Sequence, residues 1–207
     1  MATKATTQSN TITNGQIGQI CDRLTTKLRE SGLPTEHVQS VLSEPGGAFI
    51  DEMFAPFRKR VKAVSNLIVR KVTVNVNRTP QEALDATQRK QYIDRKVVDR
   101  MPKGLGGEVE IVFFKPDLSE RDGYISDDDL EKEFELHGLK PADPFRVAAL
   151  NEADPAFADE KPHGTHWKDE NGKWCCATFY RWGEREVGVR RGGSDWDGIW
   201  SFAGVRN

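Results

Sequence analysis

The sequence predicts an α+β protein in which an N-terminal helical segment precedes a region of short strands. Apolar residues recur at helical spacing between residues 17 and 28 and again between residues 38 and 57. The period changes at residue 72, where valines begin to alternate with polar residues. All five tryptophans lie between residues 167 and 200, inside further alternating runs. These observations predict helices first and a tryptophan-rich antiparallel sheet at the C-terminal end.

Composition narrows the class of protein. The 207 residues are 37% hydrophobic and 30% charged, with a net charge of −2, which is typical of a globular chain with one ordinary domain and a smaller one. The apolar runs are far shorter than the roughly 20 residues that a membrane-spanning helix needs, and the N-terminus lacks the apolar core of a secretory signal. We therefore expect a cytoplasmic protein without a membrane partner, in which the three cysteines are reduced thiols.

The sequence pattern divides the chain into four regions. They are a disordered tail at residues 1–12, a helical segment at 13–66, an α/β connector at 67–107 and a C-terminal domain at 108–207. Thr13 and Gln16 have the spacing of a capping box, which marks the start of the first helix. Because isolated helices of this length are marginal in water, we expect the helical segment to dock on the domain or on a second copy, giving a homo-oligomer.

Capping and turn residues predict the elements of the C-terminal domain. The domain opens with a strand, and a first helix follows between a Ser126 cap and a terminating Gly138. Asp143 caps a second helix. The Asn171-Gly172 pair predicts a β-hairpin between two tryptophan-containing strands. The closing strand at residues 199–206 is apolar on both faces, so we expect it to be central in the sheet.

Two stretches of the C-terminal half carry a resemblance to a known fold. They are "GVRRGGSDW" with the terminal "FAGVRN", and "HGLKPADPFRVAAL". Together with the order of strand, two helices and short tryptophan-rich strands, they resemble the C-type-lectin-like fold, in the branch of formylglycine-generating enzymes and retroelement variable proteins. The same half is similar to uncharacterised proteins of candidate-phylum bacteria. The resemblance implies a C-type-lectin-like domain that binds a ligand or a protein through its loops.

The chain departs from that branch at two places. Asp195 separates Ser194 from Trp196 and interrupts the glycine-glycine-serine-tryptophan run. Cys175 and Cys176 lie early in the predicted sheet and do not match the catalytic cysteine positions. The oxidase chemistry of the enzyme branch is therefore not implied, and we expect a non-enzymatic binding protein.

The loop before the closing strand provides the candidate ligand-binding residues. Trp196 would stack on a ligand at the loop tip while Asp195 and Asp197 accept its hydrogen bonds. Trp182 and Arg191, on neighbouring strands, would line the wall. This binding site is the functional alternative for Trp196. The favoured interpretation is that Trp196 is a core side chain at the edge of the sheet, because tryptophan usually buries most of its surface.

A basic segment at residues 58–103 suggests a second function. It contains 13 basic and 4 acidic residues, and phosphate binding would require those charges to converge on one surface. Only Tyr92 interleaves as an aromatic, although single-strand binding uses several. A nucleic-acid-associated protein is therefore the alternative function. The favoured interpretation is that the acidic segment 117–135 balances these charges within the protein.

Two groups of residues have the chemistry of metal ligands without the spacing. His163 and His166, with Cys175 and Cys176, match no standard zinc arrangement. The loop at residues 117–129 resembles a calcium-binding loop, but it lacks a carboxylate at the first position and a glutamate at the twelfth. The sequence therefore predicts no metal and no cofactor, and no catalytic constellation.

Overall fold

The computed structural model describes residues 12–43, 48–119, 121–192 and 195–206. The chain forms two compact units, an N-terminal unit that ends at Pro56 and a C-terminal unit that begins at Phe57. The predicted disordered tail lies outside the described residues except for Ile12. Among the helices of the described ranges, none has both the length and the apolar composition needed to cross a membrane.

The N-terminal unit contains helices α1 (Asn14–Glu30) and α2 (Thr35–Leu42) and the first half of α3 (Ala48–Ser65). The predicted capping box of α1 is present, because Thr13 accepts from the amide of Gln16 while the Gln16 side chain accepts from the amide of Thr13. No described residue of these three helices is buried. Their apolar side chains therefore contribute little to a core of their own.

The C-terminal unit is α+β, as predicted. Its helices are α4 (Pro80–Asp85), α5 (Arg95–Val98), α6 (Asp127–His137), α7 (Pro144–Ala153) and α8 (Phe157–Glu160). Its strands are β1 (Ile68–Val74), β2 (Lys90–Ile93), β3 (Gly107–Phe114), β4 (Tyr124–Ile125), β5 (Leu139–Pro141), β6 (His163–Lys168), β7 (Trp174–Trp182), β8 (Glu184–Arg191), β9 (Trp196–Asp197) and β10 (Ser201–Arg206).

One mixed sheet organises the C-terminal unit in the order β1-β3-β10-β6-β7-β8-β2, and β5 pairs with β10 beside this path. The closing strand β10 lies between β3 and β6, antiparallel to the first and parallel to the second. This position confirms that the closing strand is central. Strands β1 and β2, from the predicted connector, form the two edges, so connector and domain share one sheet. Strands β4 and β9 make a separate two-stranded ribbon.

Local signals explain the helix and hairpin boundaries. Ser126 caps α6 by accepting from the amide of Asp129, and Gly138 ends the helix with a φ of 69°, which glycine adopts without steric cost. Asp143 caps α7 through the amide of Arg146. The hairpin between β6 and β7 turns at Asn171-Gly172, as predicted.

The two faces of the sheet have separate cores. The helix face is covered by α4, α5, α7 and α8, whose apolar side chains pack with Val187 and Val189 of β8. On the other face, called the cleft face here, α6 and the β4–β9 ribbon pack over β3 and β10. Cys175 belongs to the first core and Cys176 to the second, as strand alternation predicts. The cleft face is open where it reaches β8 and β2.

Candidate functional site: an aromatic cleft on the open part of the sheet

The uncovered part of the cleft face forms a depression of about 600 Å³, the aromatic cleft. Strands β7, β8 and β2 supply its floor, and the segment between β9 and β10 supplies one wall. Its lining residues are Tyr92, Pro162, Thr178, Tyr180, Arg181, Trp182, Gly188, Arg190, Asp197, Ile199 and Trp200. A volume of this size lies within the range of small-molecule sites.

Gly188 contributes no side chain to the floor of the cleft. A Cβ atom at this position would lie 2.8 Å from Oγ1 of Thr178 on the neighbouring strand β7. Thr178 in turn donates its hydroxyl to the carbonyl of Gly188 over 3.4 Å. A glycine in the middle of a strand often marks a close approach to another group. Here the missing side chain leaves space directly above the sheet.

Aromatic rings form the walls of the cleft. Trp200 meets Tyr180 edge to face, with ring centroids 5.7 Å apart. Trp182, at the end of β7, is 83% exposed, and Tyr92 on β2 is 50% exposed. Burial, together with a hydrogen bond to Glu186, raises the pKa of Tyr180. Its phenol is therefore neutral at physiological pH and presents an apolar face with a polar tip.

Trp196 lies beside the cleft in a buried cluster called the anchor, which consists of Trp196, Asp127 and His166. Trp196 is 6% exposed, and its indole N–H donates to Oδ1 of Asp127 over 2.9 Å. The same carboxylate oxygen lies 2.8 Å from Nδ1 of His166. Trp196 also meets Trp200 edge to face at 5.7 Å. The anchor thus links the N-terminus of α6 to a wall of the cleft.

His166 lies inside the anchor between two carboxylates, Asp127 and Glu131. Its ring stacks on Trp174 with centroids 4.4 Å apart. Nε2 lies 2.8 Å from Oε1 of Glu131, a close ion pair whose alignment falls outside hydrogen-bond geometry. Burial alone would lower the pKa of His166, but the contacts with Asp127 and Glu131 outweigh it and raise this pKa. A charged histidine with carboxylates on both sides is a stable arrangement in a buried position.

The predicted binding residues are divided between two places. Trp182 and Asp197 line the aromatic cleft. Asp195 and Arg191 lie with Trp196 at a separate cavity of about 50 Å³, and Arg191 pairs with Asp169. Trp196 does not stand at a loop tip, since it forms β9 and is buried. The structure therefore has the favoured arrangement, in which this tryptophan is a buried side chain bonded to Asp127.

Several cleft residues were not singled out from the sequence as binding residues. They are Tyr92, Tyr180, Gly188, Arg190 and Trp200. Strand alternation contains part of the signal, because residues two apart on β7 and on β8 share a face. The contribution of Tyr92 depends on the parallel pairing of β2 with β8, which no local pattern indicates.

The histidines and cysteines that were considered as possible metal ligands do not lie together at one site. His163 is fully buried on the helix face, where Nε2 contacts the amide of Asn151 at 2.9 Å and Nδ1 contacts the carbonyl of Lys161 at 2.8 Å. Burial raises the pKa of Cys176 to about 11, and the pKa of Cys175 is also raised by burial. Within the described ranges, no group of three or more histidine, cysteine or acidic side chains is arranged to hold a metal ion.

Asp117 and Asp129, two of the acidic residues of the loop at 117–129, have protein partners. Arg121 pairs with Asp129 and with Glu133. Lys132 donates to Asp129 over 2.7 Å, and the hydrogen bond lowers the pKa of that carboxyl group. Asp117 accepts from the backbone of Ser119. These two carboxylates are therefore used within the fold.

Three basic residues of the segment 58–103 form ion pairs with acidic residues outside the predicted acidic segment. Its ion pairs join Arg78 to Glu152, Lys90 to Glu184 and Arg100 to Glu170. The predicted acidic segment contributes less: Arg60 donates to the carbonyl of Glu135, and Lys59 and Lys62 help to lower the pKa of Asp117. These three ion pairs use acidic residues between 152 and 184, whereas the acidic segment 117–135 was expected to supply the partners.

The aromatic cleft combines exposed rings with polar and charged side chains. Exposed rings, one buried hydroxyl and two guanidinium groups surround an open floor, whereas the two thiols near the sheet have a raised pKa and are protonated. Such a surface can stack on a ring and bind polar groups at its edge. Comparison of the chain with known protein families, with curated proteins and with solved structures found no match.

Proposed function

We propose that the chain is a non-enzymatic binding protein whose C-terminal region is a C-type-lectin-like domain, and that it holds a ligand in the aromatic cleft. The order of β3, the helices α6 and α7, and the strands β6 to β10 supports the fold assignment, together with the sequence resemblance over residues 108–207. Three free cysteines are consistent with a cytoplasmic location.

A single observation carries the proposal. Three of the large apolar side chains that are most exposed in the C-terminal unit, Tyr92, Trp182 and Ile199, converge on this one cleft. They come from a strand, a hairpin end and a loop that are far apart in sequence. Exposed apolar groups gathered in a concave, polar-rimmed site are typical of ligand binding.

Titration with indole, a neutral ring probe, tests the proposed function. In a ¹⁵N-correlated spectrum we expect shifts of the indole N–H signals of Trp182 and Trp200, while Trp167 on the helix face stays unchanged. Trp182→Ala should weaken binding several-fold. Tyr124→Ala is the matched control, because Tyr124 is an exposed aromatic of the same unit outside the cleft. Equal weakening by both variants would contradict the proposal.

We also infer that the N-terminal helices mediate self-association. Ile17, Leu24 and Leu28 of α1 are exposed and recur at helical spacing on one side of the helix. A second copy would cover this stripe. Sedimentation of the full chain should show a concentration-dependent dimer or higher oligomer, and Leu24→Gln with Leu28→Gln should shift it to monomer. A monomer at all concentrations would exclude this role.

A further inference from the structure

We infer that the ligand of the aromatic cleft is a flat ring that carries an anionic group, and that Arg190 binds the anion. This inference rests on the proposed function and specifies its ligand class. Four observations support it. Arg190 has no ion-pair partner among the described residues, its side chain lines the cleft, indole N–H donors lie nearby, and Asp197 already accepts a backbone hydrogen bond.

Arg190 differs from three neighbouring arginines in that it forms no ion pair with a described residue. Arg181 and Arg185 both pair with Asp159, at 3.6 and 2.8 Å. Arg191 pairs with Asp169. For Arg190, the described residues supply no carboxylate within ion-pair distance. Its guanidinium therefore retains the capacity to bind an anion from solution.

The position of Arg190 directs this charge to the cleft. Residues 188 and 190 share a face of β8, and both line the cleft. Arg190 lines the aromatic cleft together with Tyr180 and also lines the small cavity beside Trp196. This position places it between the anchor and the aromatic wall. A guanidinium group presents paired N–H donors that match a carboxylate or a phosphate.

Two indole N–H groups of the cleft are also available as donors. The indole N–H groups of Trp174 and Trp196 donate hydrogen bonds to Asp128 and Asp127 respectively. In the described part of the chain, by contrast, the indole N–H groups of Trp182 and Trp200 meet no protein acceptor. The N–H groups of Trp182, which is exposed, and of Trp200, which is half-buried, are therefore available to donate to acceptor atoms of a ligand.

Asp197 is the one carboxylate among the lining residues. Its Oδ1 atom already accepts from the amide of Ile199 over 3.0 Å, so part of its accepting capacity is used to form the turn. Of the two lining arginines, Arg181 is already paired with Asp159, so it is Arg190 that offers an unpaired guanidinium group to the cleft. The lining can therefore bind an anionic group at Arg190, with Asp197 available for a hydroxyl or N–H group at the other end of the ligand.

Two matched pairs of probes test the inference. Indole-3-acetate is compared with indole-3-acetamide, and adenosine monophosphate with adenosine, because each pair differs in the anionic group. We expect at least one acid to bind about tenfold more tightly than its neutral partner, the gain typical of a charged hydrogen bond. The pair that shows the preference distinguishes a carboxylate ligand from a phosphate ligand. Binding is followed by the indole N–H signals of Trp182 and Trp200.

Two variants assign the preference to a residue. Arg190→Gln should remove the preference for the acid while leaving the weaker binding of the neutral ring. Arg191→Gln is the matched control, since it makes the same change one residue further along β8, where the guanidinium pairs with Asp169. It should leave the preference unchanged. Loss of the preference in both variants would indicate a general charge effect and overturn the assignment.

The outcomes separate this inference from the proposed function. Neutral and acidic probes that bind equally well at the cleft would overturn the inference and leave the proposed function standing. An acid preference that survives Arg190→Gln would also overturn it. If none of the four probes shifts the signals of Trp182 and Trp200 at millimolar concentration, the proposed function itself fails, and the inference fails with it.

Discussion

The two parts of the cleft face contain the same kinds of side chains but use them differently. Over β10 and β6, helix α6 and the β4–β9 ribbon cover the sheet, and Trp196 and His166 are buried and bonded to Asp127. Over β8 and β2 nothing in the described chain covers the sheet, and Trp182 is 83% exposed. The difference shows that an aromatic residue becomes core or surface according to what packs above it.

The N-terminus of α6 lies at the boundary between the covered and the open parts of the cleft face. Asp127 is the first residue of α6, and it contacts a histidine from β6 and a tryptophan from β9 at once. The chain also passes closely over this carboxylate, because a Cβ atom on Gly192 would lie 2.9 Å from Oδ2 of Asp127. Beyond the reach of α6, the rings of the same sheet face are left to solvent.

The largest expected effect comes from Trp196→Ala. Truncation of a buried aromatic that packs on Phe202 and bonds to Asp127 should lower the free energy of unfolding by about 3–5 kcal/mol. Trp196→Phe keeps a ring and loses the N–H donor, so it should cost about 1–2 kcal/mol. Urea denaturation measures both. A loss below about 1 kcal/mol for the alanine variant would mean that the anchor is not part of the core.

The second effect is a loss of stability in mild acid. Burial lowers the pKa of His163 and of His137 to about 4, below the ordinary value of about 6.5 in an unfolded chain. The unfolded state therefore binds more protons between these values, so the stability contributed by each neutral histidine is complete above pH 6.5 and is lost as the pH falls toward 4. Each contributes on the order of 3 kcal/mol at neutral pH.

His166 should behave in the opposite direction, because its pKa is raised. The stability that the protonated form of His166 contributes is complete below pH 6.5. It is lost as the pH rises through the raised pKa of the folded state. Unfolding free energies measured from pH 5 to pH 9 check both signs. In His137→Gln the acid-side loss should become smaller, and in His166→Gln the alkaline-side loss should become smaller. An unchanged pH profile in both variants would contradict these assignments.

Local signals in the sequence predicted the elements well. The Thr13 and Ser126 caps, the turn at Asn171-Gly172 and the central closing strand are confirmed. Each of these depends on residues that are close in sequence or on the alternation within one strand. The α+β class follows from the same information.

The candidate site was predicted less well, because it depends on long-range contacts. The fate of Trp196 is decided by Asp127, 69 residues away, and the sequence alone does not show that pairing. Trp182 and Asp197 were predicted and do line the cleft. The sequence also does not show that Arg190 lacks an ion-pair partner. That depends on the fold, which brings Asp159 and Asp169 to the neighbouring arginines and no described carboxylate to Arg190.

A smaller effect on stability is expected for Gly188→Ala. The new Cβ atom would meet Oγ1 of Thr178, and the resulting displacement should cost about 1 kcal/mol. Thr178→Ala removes that oxygen, so the double variant should recover part of the loss, which a double-mutant cycle measures. Additive losses in the cycle would mean that the two residues do not meet across the floor.

The smallest effect on stability, and the one that defines the open part of the sheet, is expected for Trp182→Ala. An exposed ring leaves water only slightly on folding, so the free energy of unfolding should change by less than about 0.5 kcal/mol. The same substitution should weaken indole binding several-fold, because it removes a wall of the cleft. Trp196→Ala measured alongside should show a large loss of stability. If Trp182→Ala were as destabilising as Trp196→Ala, both tryptophans would be core side chains, and the distinction between the covered and open parts of the face would fail.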